Sequence, residues 1–439
     1  MSSEICVDFK TVDCQEFCVR IADGTHDSPK EATEGKRLVT SKNVKGGRLE
    51  IESAYLISQQ DFDAINKRSK VDQWDLLLTM IGTVGEVCVV SQPNPDFAIK
   101  NVGLLKCGDE LKAKWLYYFL RSPQGQELID QRKKGSTQQY ISLTEIRKLP
   151  VSLPETADAM RDIVDILTSL DDRITLLRET NTTLEAIAQA LFKSWFVDFG
   201  PVHAKMEGRA PEGMDEATTA LFPDEFDESE LGLVPRGWRV ATLAELFDLN
   251  PTRKLSKGSM ASYLDMASLG TSGHCVEPPI QREMGSGAKF RNGDTLLARI
   301  TPCLENGKSA FVDFLADGQI GWGSTEFLVL RPKAPLPEYL GYLLCRHSTF
   351  REYAIQSMSG TSGRQRIQND VLGRYLLVMP SREIALVFRD VIEPIQKSIA
   401  ANHETAQTLA TLRDTLLPRL ISGQLRLAEA EALFEDACV

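Results

Sequence analysis

The sequence predicts an α+β protein in which two similar mixed α/β domains are separated by two long helices that form an antiparallel coiled coil with pseudo-two-fold symmetry. Three observations predict this fold class. The chain has 439 residues, which is enough for two or three domains. Short segments of its first half recur in the same order in its second half. Each copy ends in a long run of apolar residues at helical spacing.

The internal repeat rests on six pairs of similar segments. VDQWDLLLTMIG (71–82) aligns with FRNGDTLLARIT (290–301), and the loop GSTQQYIS (135–142) aligns with GTSGRQRIQ (360–368). The offset between partner segments grows only from 219 to 228 residues along the series, so their order is kept. A single match of this kind arises by chance, whereas a series in one order indicates a tandem duplication.

The first copy begins with a globular domain, expected over residues 1–154. Its β-rich runs DLLLTMIG and EVCVVS are broken by Gly, Pro and Asn, and a helix is expected near 113–132. A central spacer helix follows over 155–200, and Gly200-Pro201 is expected to stop it. Apolar residues alternate spacings of three and four along this helix, as in the a/d seam of a coiled coil. The seam positions are Met160, Ile163, Leu167, Leu170, Ile174, Leu177, Asn181, Leu184, Ala188, Leu191 and Trp195.

An acidic linker over 201–236 joins the two copies. Residues 207–230 within it carry nine acidic residues and one arginine. The second domain is expected over 237–380. A C-terminal spacer helix over 381–425 follows, with Ser381 as its N-cap, and an acidic tail over 426–439 ends the chain.

Two features of the spacer helices leave room for different outcomes. Asn181 is the polar position of the first seam and either fixes the register of the coiled coil or faces solvent. Pro394 and Pro418 are expected to kink the second helix or to shorten it. About 45 residues at ~1.5 Å rise make a rod of roughly 65 Å. A small domain cannot cover such a rod, so we expect the two helices to bury their apolar stripes against each other.

Composition excludes several classes of protein. The sequence has no apolar run of about 18 residues, and its N-terminus is acidic where a secretory signal is basic, so a cytoplasmic protein without a membrane span is expected. Its nine cysteines include no C-x-x-C pair and its five histidines are dispersed, which predicts free thiols and no metal site. The net charge of -11 is concentrated in the linker and the tail, so basic faces for nucleic acid remain possible elsewhere.

Two domains on a rigid spacer suit two short sites on one DNA duplex, about one helical turn or ~34 Å apart. The candidate contacts are basic and amide side chains in loops that contain glycine, because arginine pairs with guanine, glutamine with adenine, and lysine with phosphate. For each residue alone, a solvated surface charge is the alternative interpretation. The set is Lys36, Arg37, Lys42, Lys45, Arg132, Lys133, Lys134, Gln138, Gln139, Arg253, Lys254, Arg299, Arg364, Gln365 and Arg366.

A catalytic constellation is not recognisable in the sequence. It contains no G-x-x-x-x-G-K-[ST] phosphate loop. Asn94-Pro95-Asp96-Phe97 matches the Asn-Pro-Pro-aromatic motif of amino-methyltransferases only in part, because Asp96 replaces the second proline and no glycine-rich cofactor loop precedes it. We therefore expect a protein that performs no chemistry of its own.

Several stretches resemble the DNA-specificity subunit of Type I restriction-modification systems. They are IADGTHDSPK (21–30), ALFKSWFVDFGPV (190–202), LFPDEFDESELGLVPRGW (221–238) and LRDTLLPRLISGQL (412–425). The resemblance covers nearly the whole chain. It implies that each globular domain is a target-recognition domain for one half of a split, asymmetric site on double-stranded DNA. It also implies that the paired helices set the gap between the two halves.

The resemblance further implies partners and cofactors. The chain would hold no cofactor and would dock two methyltransferase subunits, which use S-adenosylmethionine, and restriction/translocase subunits, which use ATP and Mg²⁺. It adds Thr25 and His26 to the candidate DNA contacts. Trp195, Phe196 and Phe199 are candidates for docking a methyltransferase subunit, with packing inside the chain as the alternative. Two other functions stay open: a coiled-coil adaptor that does not bind DNA, and a catalytic DNA-modifying enzyme with a fused recognition unit.

Overall fold

A computed structural model describes residues 9–361, 363–425, 429, 430 and 432. The chain divides into two compact units, Met1–Ile174 with Gln407–Val439 (unit 1) and Thr175–Ala406 (unit 2). The predicted acidic tail lies almost wholly outside the described residues. Among the residues that are described, none of the helices is both long and apolar enough to cross a membrane.

The globular part of unit 1, residues 9–154, is called domain 1. Its elements in chain order are β1 (Phe9–Asp13), α1 (Cys14–Phe17), β2 (Arg20–Asp23), β3 (Lys36–Val39), β4 (Val44–Lys45), β5 (Arg48–Leu49), β6 (Tyr55–Ile57), α2 (Gln59–Ser69), β7 (Asp75–Thr79), β8 (Val87–Val89), β9 (Phe97–Ile99), β10 (Val102–Lys106), α3 (Glu110–Arg121), α4 (Pro123–Asp130), α5 (Leu143–Arg147) and β11 (Pro150–Pro154).

Two sheets organise domain 1. The central sheet is antiparallel with the order β2-β10-β7-β8, and its inner strand β7 is buried at every position. A strand that is covered on both faces reads as a continuous apolar run, which explains the sequence DLLLT. In the second sheet, β3 pairs antiparallel with β6 and parallel with β9. β1 pairs with β11, so the first and last strands of the domain lie side by side.

The remaining elements follow domain 1 along the chain. They are α6 (Ala157–Phe196), α7 (Gly200–Met206), α8 (Glu216–Leu221), β12 (Phe226–Ser229), β13 (Gly232–Pro235), β14 (Arg239–Thr242), α9 (Leu243–Leu246), β15 (Phe247–Leu249), β16 (Met260–Leu264), β17 (Ile280–Glu283), β18 (Ala288–Phe290), β19 (Thr295–Ala298), β20 (Ser309–Phe311), β21 (Gly321–Gly323), β22 (Phe327–Pro332), α10 (Leu340–Arg346), α11 (Ser348–Gln356), α12 (Asn369–Leu372), β23 (Leu376–Met379) and α13 (Arg382–Ile421).

Residues 239–380 of unit 2, called domain 2, repeat the strand order of the two sheets of domain 1 and add one strand, β18, beside β21 in the second sheet. The central sheet β15-β22-β19-β20 has the same strand order and the same antiparallel pairing as β2-β10-β7-β8. In the second sheet, β16 pairs antiparallel with β17 and parallel with β21, as β3 does with β6 and β9. β14 pairs with β23 as β1 pairs with β11. The predicted duplication is therefore confirmed at the level of strand topology.

The two long helices, α6 and α13, contain 40 residues each and pair antiparallel. Within unit 2, Asn402 Nδ2 donates to Asn181 Oδ1 at 2.9 Å, and the rings of Trp195 and Phe388 lie 5.3 Å apart. From Asn181 to Trp195 the chain advances by fourteen residues along α6, while the contacting positions on α13 go back by fourteen residues, from Asn402 to Phe388. The two helices are therefore antiparallel. Within unit 1, Arg413 Nη1 donates to Asp171 Oδ1 at 2.6 Å. The predicted coiled coil is confirmed.

Asn181 takes the first of its two predicted roles. Its Nδ2 donates to the carbonyl oxygen of Ile399 at 2.9 Å, while its Oδ1 accepts from Asn402. Both asparagines are half-buried in the seam between the helices. A shift of the helix register would place these amides opposite apolar side chains and leave them without hydrogen-bond partners. The pair therefore specifies one alignment of the two helices.

The sequence-based expectations for the helix ends are partly wrong. α6 ends at Phe196, and Gly200-Pro201 does not stop a helix but begins α7, after Phe199 adopts a left-handed φ of 52°. Proline is favourable in a first helical turn because its missing N–H would lack a partner there. α13 continues through Pro394 and past Pro418 to Ile421. Ser381 is the N-cap as predicted, since its Oγ accepts from the N–H of Ile384 at 3.3 Å.

Candidate nucleic-acid interface

Domain 1 presents a hairpin loop that is tied to the end of β7. The loop runs from Lys134 to Tyr140, whose backbones exchange two hydrogen bonds of 2.8 and 2.9 Å. Gly135 turns the chain with a φ of 93°, and a Cβ at that position would collide with the carbonyl oxygen of Gln138. Gly82 N–H donates to the carbonyl oxygen of Gln139 at 3.2 Å, which holds the loop against the chain that follows β7. The side chains of residues 136–140 are exposed.

Domain 2 builds the same loop with different residues. Ser359 and Arg366 exchange backbone hydrogen bonds of 3.0 and 2.9 Å, and Thr301 N–H donates to the carbonyl oxygen of Gln365 at 3.0 Å. Gly360 takes the role of Gly135, with a φ of 129°. The loop contains Ser362, which is outside the described residues. The predicted alignment of the two loops is thus confirmed by matching backbone hydrogen bonds.

Arg366 closes the domain 2 loop and forms a bidentate ion pair. Its Nε donates to Glu326 at 2.8 Å and its Nη2 donates to the same carboxylate at 2.7 Å. The side chain of Arg366 is 39% exposed and that of Glu326 is 23% exposed. The hydrogen bonds from Arg366, and then its charge and that of Arg299, hold the pKa of the Glu326 carboxyl below its usual value against the opposing effect of burial.

A second hairpin in domain 1 carries basic side chains. β4 and β5 are joined by Gly46 and Gly47, which have φ values of 57° and 82°. The backbones of Lys45 and Arg48 are paired as strand neighbours on either side of this turn. Two positive φ angles in a two-residue turn match the twist of the flanking strands and require glycine. Gly46 N–H donates to Glu86 Oε2 at 2.9 Å, which ties this hairpin to the residue that precedes β8.

Comparison with known proteins finds one matching domain family and several similar proteins. The sequence family described as the Type I restriction modification DNA specificity domain matches residues 31–186. The Type I restriction enzyme HindI specificity subunit of Haemophilus influenzae is 25% identical over 345 residues, which are 68% of this chain and 74% of that protein. The MjaIX specificity subunit of Methanocaldococcus jannaschii is 23% identical over 375 residues, covering 81% of this chain and 78% of the relative. Residues 31–186 therefore resemble a Type I DNA specificity domain, and the chain is similar over most of its length to Type I restriction enzyme specificity subunits.

The fold of the chain is similar to that of a solved structure. It superposes with a TM-score of 0.55 on the crystal structure of the S subunit of a Type I restriction-modification system from M. genitalium. The alignment covers 96% of this chain and 98% of that one, at 15% sequence identity, so the likeness extends to the fold.

Several predicted DNA contacts of the chain are exposed and form no ion pair with any residue that the structure describes. They are Lys42, Lys45, Lys254 and Arg364. Gln138 and Gln139 are exposed in the domain 1 loop, and Gln365 is half-buried in the domain 2 loop. The structure therefore brings Gln138, Gln139, Arg364, Gln365 and Arg366 into the two equivalent loops.

Other predicted contacts have carboxylate or carbonyl partners at the surface of domain 1. Lys36 pairs with Asp96, Arg37 with Glu52, Lys133 with Asp130 and Lys134 with Glu145, at 2.5 to 3.2 Å. Arg132 Nη1 donates to the carbonyl oxygen of Leu128 at 2.9 Å. The side chains of Lys36, Arg37 and Lys133 are half-buried, whereas that of Lys134 is 56% exposed. An exposed ion pair contributes little to stability, so Lys134 can exchange its carboxylate for a phosphate at small cost.

Thr25 and His26 lie beside the parallel strand β9 of domain 1. His26 is held from both ring nitrogens, by Asn101 Oδ1 at 2.8 Å and by Asp23 Oδ2 at 2.9 Å. Thr25 Oγ1 accepts from the N–H of Asp27 at 3.1 Å. These contacts fix the turn after β2, and the His26 side chain remains 62% exposed.

Arg253 is misplaced in the predicted set. Its side chain is 7% exposed, and its Nη2 donates to both oxygens of Asp294 at 2.5 and 2.6 Å. Asp294 is fully buried and also accepts from Arg331 Nη1 at 3.1 Å. A guanidinium that neutralises a buried carboxylate stabilises the fold and cannot reach a base, so we remove Arg253 from the DNA-contacting residues.

The aromatic residues at the end of α6 pack inside unit 2. Trp195 is 5% exposed and contacts Phe222 edge-to-face at 5.1 Å, so it does not form a docking surface. Phe196 lies 4.6 Å from Phe388, and Phe199 lies 5.9 Å from Trp238. The alternative interpretation, packing within the chain, is correct for Trp195. Phe196 and Phe199 are half-buried and line an apolar groove beside it.

Two residues of the interface have no counterpart in the sequence-based set. Glu326 was missed because a single acidic residue before a strand carries no signal of its partner 40 residues away. Tyr140, which is 43% exposed, occupies in domain 1 the position that Arg366 occupies in domain 2. The repeat alignment contains this correspondence, since QQYIS aligns with RQRIQ.

Proposed function

We propose that this chain is the specificity subunit of a Type I restriction-modification system, that it reads a bipartite, asymmetric site on double-stranded DNA, and that each domain reads one half through its hairpin loop. The observation that carries the proposal is that one pattern of closing backbone hydrogen bonds presents different side chains, in the loops KGSTQQY (134–140) and SGTSGRQR (359–366). Matching closing hydrogen bonds place the two loops equivalently within their domains, while their different lengths and side chains select different bases. An asymmetric site follows from that combination.

We also propose that the paired helices set the number of base pairs between the two halves. The Asn181–Asn402 contact in unit 2 and the Asp171–Arg413 contact in unit 1 each favour a single alignment of α6 with α13. An alignment fixed by half-buried polar contacts resists sliding, because a shift breaks hydrogen bonds in the seam. Such a pair of helices serves as a spacer of constant length.

Partner subunits supply the chemistry in this proposal. Two methyltransferase subunits with S-adenosylmethionine modify adenines, and restriction/translocase subunits with ATP and Mg²⁺ act on unmodified DNA. We place methyltransferase docking at the apolar groove of about 580 Å³ that is lined by Phe196, Phe199 and Leu233. Leu233 is 61% exposed and Leu231 is 45% exposed on the β12–β13 hairpin, which supports an apolar contact there.

Exchange of domain 1 tests the proposal. Residues 1–154 are replaced by the corresponding domain of another specificity subunit, and the modified sites in the host genome are mapped before and after the exchange. We expect one half of the site to change and the other half to stay the same. Loss of both halves together, or methylation that is independent of this chain, contradicts the proposal and favours an adaptor or a catalytic enzyme.

A further inference from the structure

We propose that Arg366 reads a guanine in the half-site of domain 2, and that Glu326 is a positioning residue that holds the guanidinium in its reading orientation. The inference rests on the proposed function of the hairpin loops. It is based on which N–H groups of the Arg366 guanidinium the Glu326 carboxylate binds and which it leaves available.

Glu326 occupies only one edge of the Arg366 guanidinium. Nε donates to Oε1 and Oε2 at 3.0 and 2.8 Å, and Nη2 donates to Oε1 at 2.7 Å. The end of the guanidinium, formed by Nη1 and the outer N–H of Nη2, is not bound by Glu326. Its single contact with described residues is the long one of 3.5 Å from Nη1 to the carbonyl oxygen of Arg364. That end offers two parallel N–H donors, which is the pattern that matches O6 and N7 of guanine in the major groove.

The ion pair is too exposed to be explained by stability alone. Pairs with one partner 39% exposed contribute weakly to folding, because water and salt screen them. The pair has a second consequence, which is to restrict a flexible side chain to one orientation before DNA arrives. Restriction of this kind lowers the entropic cost of binding, and the carboxylate also disfavours approach of a phosphate to the same side chain.

Contacts around the pair fix both partners from the backbone. Arg366 is anchored by its two hydrogen bonds to Ser359, and the carbonyl oxygen of Glu326 accepts from the N–H of Arg299 at 3.0 Å. The Arg299 side chain in turn donates to Gln368 Oε1 at 3.0 Å. The arginine therefore lies on a loop whose closing residues are held at both ends.

Domain 1 lacks this arrangement. Tyr140 stands at the position of Arg366, and a phenol has one O–H instead of two parallel donors. We therefore assign the guanine contact to the half-site of domain 2 only. The difference at this one position contributes to the asymmetry of the whole site.

The test measures base preference at every position of a randomised duplex library, with the full chain in complex with the methyltransferase subunit of its host. Variants are Arg366→Ala, Arg366→Lys and Glu326→Gln. The matched control is Arg291→Ala, which removes an exposed arginine side chain of the same domain that does not line the apolar groove. We expect the two Arg366 variants to lose about ten- to a hundredfold of the preference for guanine at one base pair of one half-site. Glu326→Gln weakens the same preference, and the control leaves it unchanged.

Replacement of that guanine by 7-deazaguanine separates reading from a structural role. The base analogue lacks the N7 acceptor, so we expect it to weaken binding of the wild type and to have no further effect on Arg366→Ala. A selective wild type whose preferences survive all three variants overturns this inference and leaves the proposed function standing. A wild type without any sequence preference overturns both. If Arg366→Ala does not fold, Arg366→Lys and Glu326→Gln decide by the same criteria.

Discussion

Substitution of Arg253 separates a structural arginine from one that contacts DNA. In the native fold, the buried Asp294 carboxylate accepts from Arg253 Nη2, from Arg331 Nη1 and from the N–H of Arg291 at 2.8 Å. Arg253→Ala removes the closest of the three donors. Removal of one partner from a buried ion pair costs about 3–5 kcal/mol. Because Arg331 and the backbone N–H remain bound, we expect the lower end of this range, ~3 kcal/mol.

The assay is hydrogen exchange of the backbone amides of β19 as a function of urea, which reports the free energy of opening of domain 2. β19 is suitable because all four of its residues are buried and it pairs with both β20 and β22. The control is Lys254→Ala, an exposed neighbour that we expect to change the free energy by less than about 0.5 kcal/mol. An Arg253→Ala protein that opens like the wild type but binds DNA more weakly refutes the structural assignment.

Three further predictions concern docking and the spacer. Leu233→Glu places a charge in the apolar groove and should abolish co-purification with the methyltransferase subunit, whereas Leu221→Glu, which is 38% exposed and does not line the groove, should not. Matched insertion of one heptad in α6 and α13 adds ~10 Å of helix, so the tolerated gap in mapped methylation sites should grow by about three base pairs; an unchanged gap contradicts the spacer. Asn181→Leu should lower the free energy of unfolding of unit 2 by about 1 kcal/mol, because the Asn402 amide loses its hydrogen-bond acceptor. Adding Asn402→Leu to the same chain should restore that free energy.

In the two recognition loops the backbone contacts are duplicated, whereas the outward-facing side chains have diverged. Backbone contacts that define the loop geometry recur in both domains, from Gly82 to Gln139 in one and from Thr301 to Gln365 in the other. Side chains that face outward differ, as Tyr140 and Arg366 do. A fold that conserves loop position and varies loop chemistry can change its DNA target without a change in its core.

Local sequence pattern predicted those features that depend on neighbours along the chain. The three-and-four spacing from Met160 to Trp195 predicted a long paired helix, and the repeat alignment predicted two domains of one topology with equivalent loops. The cap at Ser381 was predictable for the same reason, because its hydrogen-bond partner is three residues away. Family resemblance in the helices and the linker then indicated a specificity subunit.

Only the tertiary structure decided what each side chain contacts across the chain. Arg253 and Arg366 both lie in basic loops with glycine, yet one neutralises a buried carboxylate 41 residues away and the other keeps an edge of its guanidinium exposed beside Glu326. Trp195 belongs to an apolar stripe that sequence identifies, but its burial depends on Phe222 and Phe388, which other segments supply. Periodicity determines which face of a helix is apolar, whereas long-range packing determines what covers that face and which charges remain available for DNA.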